Sequence, residues 1–220
     1  ASQLRLWTID NFGEDMIANP RGGGLFYWDK SSGVSTRAVN FSALSGAADV
    51  PTVASQVIVS ETDRHIIALG ANTIGTSTQD PMLVRWCNQE DAAVWTPKTT
   101  NTAGGLRLSA GSKIIGASRT REEIIIFTDI ALYSMQFIGP PFTFSINLVT
   151  ESVSMVSPQA SVNANNAIYF MDEDNFYIYE GSIQTLPCSV RAYVFDDFNY
   201  DQVYKVFATR NAKFNEVTWF

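Results

Sequence analysis

EEIIIFTDIALYSMQFIG, residues 122–139, reads as a strand, a tight polar corner and a second strand. β-Branched and aromatic residues run up to Thr128-Asp129 and resume after it, which is the pattern of two short strands closed by turn formers. Whether this hairpin stands once or is one copy of a repeat decides the architecture.

It recurs. LFYWDKSSGVSTRAV, LVRWCNQEDAAVWTP, IIIFTDIALYSMQFI and IYFMDEDNFYIYEGS align on an aromatic, any residue, then Asp or Asn. The aromatics are Tyr27, Trp86, Phe127 and Phe170; the corner residues are Asp29, Asn88, Asp129 and Asp172. The copies stand 59, 41 and 43 residues apart, and a further one follows slightly late as NEVTWF. An Asp or Asn stabilises such a corner by accepting from its own backbone two residues on. The aromatic before it is expected to pack between sheets. Each copy also follows a second hairpin-like pair: DRHIIALGA leads into TQDPMLVRW, SKIIGASRT into REEIIIFTD, and PQASVNANN into AIYFMD. YKVFATRNAKF leads into NEVTWF in the same way.

A period of about 40–50 residues with three or four strands is the signature of a propeller blade. A β-sandwich also repeats hairpins, but its turns come every 8–12 residues or so without a longer period. The expected fold is therefore all-β: a β-propeller or part of one, with antiparallel blades of three to four strands. Residues 1–220 are read as a single propeller-like domain. Helix is expected only as a short turn near 197–205. Two Gly-, Ser- and Thr-rich stretches, 42–52 and 96–112, are expected to be surface loops free to touch partners. A closed ring needs more sequence than this, and the ends, ASQLRLWTID and NEVTWF, read as those of a piece of a longer chain.

The 220 residues include 14 Phe, 8 Tyr and 5 Trp, which suits strands and large buried areas. The net charge of −7, from 22 acidic and 15 basic residues, argues against a surface that wraps nucleic acid. It is compatible with a surface that lets DNA slide past. Cys87 and Cys188 stand apart, with no CxxC or Cys/His cluster, so no structural zinc is expected. Two buried free thiols are the preferred reading, with a Cys87–Cys188 disulfide left open. No apolar run approaches the roughly 18 residues of a membrane-spanning helix.

Residues that carry chemistry are sparse. His65 is the only histidine, beside an apolar strand in ETDRHIIALG, and is read as a packed residue. Any Ser-His-Asp or Cys-His arrangement would have to use it, with no GxSxG to support one. Asp172, Glu173 and Asp174, and Asp196, Asp197 and Asp201, are paired carboxylates of the kind that cleave glycosides. At strand corners they are read as solvated turn residues. Asp197, Asn199 and Asp201 resemble the start of a calcium loop, but Gln202 takes the glycine place and Ala208 the glutamate place. RGGG, 21–24, lacks the lysine and the strand-to-helix context of a phosphate loop. No catalytic, cofactor-binding or metal-binding residue is assigned.

The order of motifs carries a resemblance. NFGEDMIANPRGGGLFYWD (11–29) resembles the FGE-LIA…GG-IY-WD opening of a family of tailed-phage virion proteins. DRHIIALGA, DPMLVRWCNQEDAAVWTP, NTAGGLRLSAGSKI, TREEIIIFTDIALYSMQFIGPPFTF, FYIYEGSIQTLPCSV and VFDDFNYDQVYKVFATRNAKFNEVTWF follow in the same order. The family comprises the tail nozzle, tail tubular or packaged-DNA stabilisation proteins of short-tailed phages. The resemblance covers nearly the whole chain. It implies a propeller-rich, non-enzymatic structural subunit in a homo-oligomeric ring around the DNA channel, touching other tail and portal-adaptor proteins. It also implies passage of double-stranded DNA without specific binding, no cofactor, and a place in the virion after assembly in the bacterial cytoplasm. Family members are several times longer and continue past EVTWF. The expectation from a different class is a propeller that binds or cleaves glycans; the Ser-x-Asp-x-Gly-x-Thr-Trp box of sialidases is absent from the sequence. A third expectation is a host-derived interaction propeller that binds peptides on its top face.

Overall fold

The computed structural model describes residues 5–220. Among them, the first sheet holds β1 (Trp7–Phe12), β2 (Asp15–Pro20), β3 (Phe26–Trp28) and β4 (Val39–Asn40). The second holds β5 (Gln56–Ser60), β6 (His65–Leu69), β7 (Leu83–Trp86) and β8 (Gly104–Arg107). The third holds β9 (Ile114–Arg119), β10 (Ile124–Thr128), β11 (Leu132–Gly139) and β12 (Thr143–Thr150). The fourth holds β13 (Ser161–Ala164), β14 (Ala167–Met171), β15 (Phe176–Tyr179) and β16 (Ile183–Thr185). A two-stranded sheet of β17 (Ala208–Asn211) and β18 (Glu216–Trp219) follows. In every sheet strand order follows chain order, so each is a plain antiparallel meander. The all-β expectation holds at that level.

Helix is confined to short pieces. One is α1 (Arg191–Phe195), and a 3-10 turn spans Tyr200–Lys205, inside the stretch where the sequence predicts helix. The strand expected in YKVFAT starts later than its apolar residues suggest. Tyr204 and Lys205 end the 3-10 turn, and pairing begins at Phe207, which exchanges backbone bonds with Phe220.

The chain divides into two compact units: Ala1–Ile114 with Phe137–Ser145, and Ile115–Gln136 with Ile146–Phe220. In the first, the faces of the first two sheets meet over Phe12, Ile17, Val57, Val59, Ile66 and Ala68, all buried. Phe41 fills the centre, edge-on to Tyr27 at 5.8 Å and tilted against Trp95 at 6.5 Å. Phe144 covers the other face of the second sheet, 5.1 Å from the His65 ring and 5.3 Å from Trp86. In the second unit, Ile125, Phe127, Ile168 and Phe170 form the core, and the Phe127 and Phe170 rings meet edge to face at 5.0 Å. Such aromatic pairs add to the burial of their area.

The aromatic-x-Asp repeat has a phase shift. Tyr27 and Trp86 lie on third strands, β3 and β7, whereas Phe127 and Phe170 lie on second strands, β10 and β14. The structural repeat is the sheet itself, whose first strands begin at Trp7, Gln56, Ile114, Ser161 and Ala208. The corner residues diverge in the same way. Asp29 accepts from the Ser31 N–H at 2.7 Å, as expected. Asn88 accepts instead from Thr102, and Asp172 from Ser154. In the hairpin of 122–139 the Thr128 hydroxyl accepts from the Ala131 N–H at 2.9 Å. Asn40, Asp80 and Asp91, none of them the aligned corner residue, make the two-residues-on bond instead.

The two stretches read as loops are also more ordered than expected. Ala48, inside 42–52, exchanges backbone bonds of 2.9 Å with Ala93 and Trp95. The 96–112 stretch contains β8, paired with β7. There Gly104 faces Trp86, and a Cβ on it would stand 2.6 Å from the indole. The ring needs that hydrogen-only neighbour.

Two substitutions test this packing by urea unfolding. Phe170→Ala removes a fully buried ring from the second core and is expected to cost about 3–5 kcal/mol. Gly104→Ala is expected to cost about 1–3 kcal/mol by forcing the Trp86 indole off its strand. An unchanged midpoint for either would contradict the packing described.

Candidate functional site

His65 is fully buried at the start of β6. Its Nε2 lies 3.0 Å from the Thr102 hydroxyl oxygen. That hydroxyl donates to Asn88 Oδ1 at 3.1 Å and accepts from the Gln89 N–H at 2.8 Å. A hydroxyl has one proton, so Nε2 must be the donor to it and Nδ1 the bare acceptor. Nδ1 is buried without a hydrogen-bond partner. Phe137 and Phe144 flank the ring at 5.7 and 5.1 Å. Burial holds its pKa below the ordinary 6.5, opposed in part by Asp63. The ring is a neutral core residue that closes the corner after β7, in keeping with the packed residue read from the sequence.

The carboxylates are engaged in turn structure. Asp172 accepts from the Ser154 hydroxyl at 2.9 Å and N–H at 3.1 Å, and from the Glu173 N–H at 2.8 Å. Asp174 pairs with Arg191 at 3.3 Å, and the Glu173 carbonyl accepts from the Tyr200 hydroxyl. Asp196, Asp197 and Asp201 are exposed on and beside the short helical pieces. Among the described residues no group of three His, Cys, Asp or Glu could hold a metal ion. The Asp197-Asn199-Asp201 run enters the 3-10 turn instead of curling round a centre.

RGGG is a structural corner between β2 and β3. The Gly22 N–H donates to the Ala54 carbonyl at 2.8 Å, and the Asn19 amide holds the Gly23 and Gly24 carbonyls. The Arg21, Gly22 and Gly23 N–H groups are thus spent on the protein. Cys87 and Cys188 are both free thiols. Cys87 is fully buried, accepts from the Ile66 N–H at 3.0 Å, and burial pushes its thiol up to about 12. Cys188 is only half-buried, where both cysteines were expected inside. No helix of the described residues is long and apolar enough to cross a membrane.

Two features were missed in the sequence. Tyr179, buried on β15, donates to Glu123 at 2.9 Å; burial and that carboxylate push its hydroxyl up to about 12. Glu123 also accepts from the Ser134 hydroxyl, so one carboxylate, on the residue just before β10, ties that strand's entry to β11 and β15. The second is Arg85, a cation at 3 % exposure on the core side of β7. Its signal was present: MLVRWC puts a charge inside an otherwise apolar strand.

One arrangement repeats along the chain. Within each unit, first strands of successive sheets lie beside each other. Thr8 and Asp10 of β1 accept from the Val57 and Val59 N–H groups of β5, at 3.3 and 2.9 Å. Asn163 of β13 donates to the Arg119 carbonyl of β9 at 2.5 Å. Ala208 of β17 donates to the Gln159 carbonyl, just before β13, at 2.8 Å.

No protein-family model matches the chain, and no curated protein matches it.

The His65 environment makes stability depend on pH. Its folded pKa lies below the unfolded value, so its contribution is complete above about pH 6.5 and is lost as pH falls through the folded value. The slope is at most about 1.4 kcal/mol per pH unit. Between pH 7 and 5 the urea midpoint of the native chain is expected to fall more steeply than that of His65→Gln. Parallel slopes would assign the titration elsewhere.

Proposed function

We propose that the chain is a structural component of a short-tailed phage tail, a nozzle or hub ring element around the DNA channel, acting by assembly and not by catalysis. The observation that carries this is the serial meander with neighbouring first strands: β1 beside β5, β9 beside β13, and β13 beside β17. Blades of a propeller place their innermost strands side by side in this way. The order of motifs from FGEDMIA to EVTWF supports the phage-tail family.

The physical role follows. A ring of identical subunits presents blade faces to its neighbours and loops to other tail and portal-adaptor proteins. The net charge of −7 suits a wall past which a polyanion moves, since each phosphate contact would add to adhesion. The virion is the place of action, after assembly in the bacterial cytoplasm.

The test is the mass and image of the native particle. Sedimentation and negative-stain microscopy are expected to show a homo-oligomeric ring with an open channel. Electrophoresis at about 150 mM salt is expected to show no sequence-specific retardation of duplex DNA. A monodisperse monomer that binds or cleaves glycans would overturn the reading in favour of a glycan-acting propeller.

A further inference from the structure

We infer that a cavity in the first unit binds a small carboxylate bearing a neighbouring hydroxyl or ammonium group, with Arg85 as the carboxylate's partner. The cavity measures about 290 Å³, and Arg85, Asp49, Asn72, Thr76 and Ala47 are among its walls. That size is at the small end of ligand pockets.

Arg85 sits where alternation calls for an apolar residue. It pairs across the sheet with Ala68, which points into the core, between Val84 and Trp86 on the opposite face. Its guanidinium lies 5.9 Å over the Trp95 ring. One terminal nitrogen donates to the Asn72 carbonyl at 3.2 Å, the other to the Asp49 carbonyl. Two of five N–H groups are thereby used, and among the described residues no carboxylate bridges to it. Burial pulls its pKa down, and the nearby Asp49 carboxylate opposes this in part. A buried cation with no carboxylate bonded to it directly is costly. Tethering the 49 and 72 loops needs two N–H groups and no charge, so tethering does not account for the guanidinium. A planar oxyanion matches its remaining donors.

The other walls narrow the ligand. Asn72 is a fixed support: its Oδ1 accepts from Thr52 and Val53, and its Nδ2 donates to Thr73 and Thr76. Asp49 stands exposed at the mouth, one carboxylate oxygen accepting from the Thr96 hydroxyl at 2.6 Å. One positive and one negative group face the space. A dianion such as phosphate is repelled by Asp49, whereas a monocarboxylate with an adjacent donor satisfies both. The site is independent of ring assembly, and either reading can fail without the other.

The test is nitrogen-15 NMR of the full chain, following the Arg85 side-chain N–H and the Asn72 and Thr76 amides. The probes are glycolate, acetate, inorganic phosphate and chloride. Glycolate is expected to shift all three signals saturably, acetate more weakly, and phosphate and chloride not at all. Arg85→Lys, which loses the planar fork, is expected to weaken glycolate by about tenfold or more. Ala47→Leu, which fills the cavity and leaves the arginine's bonds in place, is expected to abolish the shifts. It carries the test if Arg85→Lys does not fold. No glycolate shift at Arg85, an equal response to phosphate or chloride, or full binding by Ala47→Leu would overturn the proposal.

Discussion

Face-to-face packing of small antiparallel sheets through interlocking aromatic rings is the interaction on which this protein depends. A four-stranded meander has two faces and, among the described residues, no long helix to cover either. Each sheet must find its cover in another part of the chain. Phe127 and Phe170 supply that contact in the second unit, and Tyr27, Phe41 and Trp95 in the first. The second sheet is covered on both faces, so β5 and β6 read as continuous apolar runs and not as alternating ones. The cover on its far side comes from Phe137 and Phe144, which is why 137–145 groups with the first unit.

A second constraint is the strand edge. An edge strand exposes unpaired N–H and C=O groups that invite foreign strands. Here first strands answer one another with short polar side chains: Thr8 and Asp10 accept from β5, and Asn163 donates to β9. Such bonds fix the lateral position of each sheet without merging it into the next. The result is a series of separate meanders and not one continuous sheet.

The polar groups within and beside the cores divide by how fully they are satisfied. Glu123 is met by Ser134, Gln136 and Tyr179, and serves to join strands. His65 spends one nitrogen on Thr102 and remains neutral against two phenylalanines. Arg85 cannot become neutral, because a guanidinium holds its proton throughout the accessible pH range. A permanent charge beside a cavity is therefore a different kind of feature from a packed histidine, although both interrupt apolar strands in the sequence.

Local chemistry was legible along the chain. The β-branched and aromatic runs that form β5, β6, β10, β11, β14 and β15 stand out, because strands buried on a face must be apolar. The packed state of His65 and the turn role of Asp172 and Asp174 followed from their neighbours. The outermost strands β4, β8, β12 and β16 did not stand out, since an exposed edge strand tolerates polar residues and glycine. The phase of the repeat was also hidden. An aromatic followed by Asp can close a second strand as readily as a third, so equal spacing did not mean equal place. Which aromatics touch, how Arg85 came to lie inside, and which carbonyls it holds depend on contacts between residues far apart in sequence. The sequence by itself determined the strands and their corners, because those obey local pattern and turn chemistry. Only the tertiary structure decided which faces meet, because that is settled by the mutual fit of surfaces each strand contributes to but none contains.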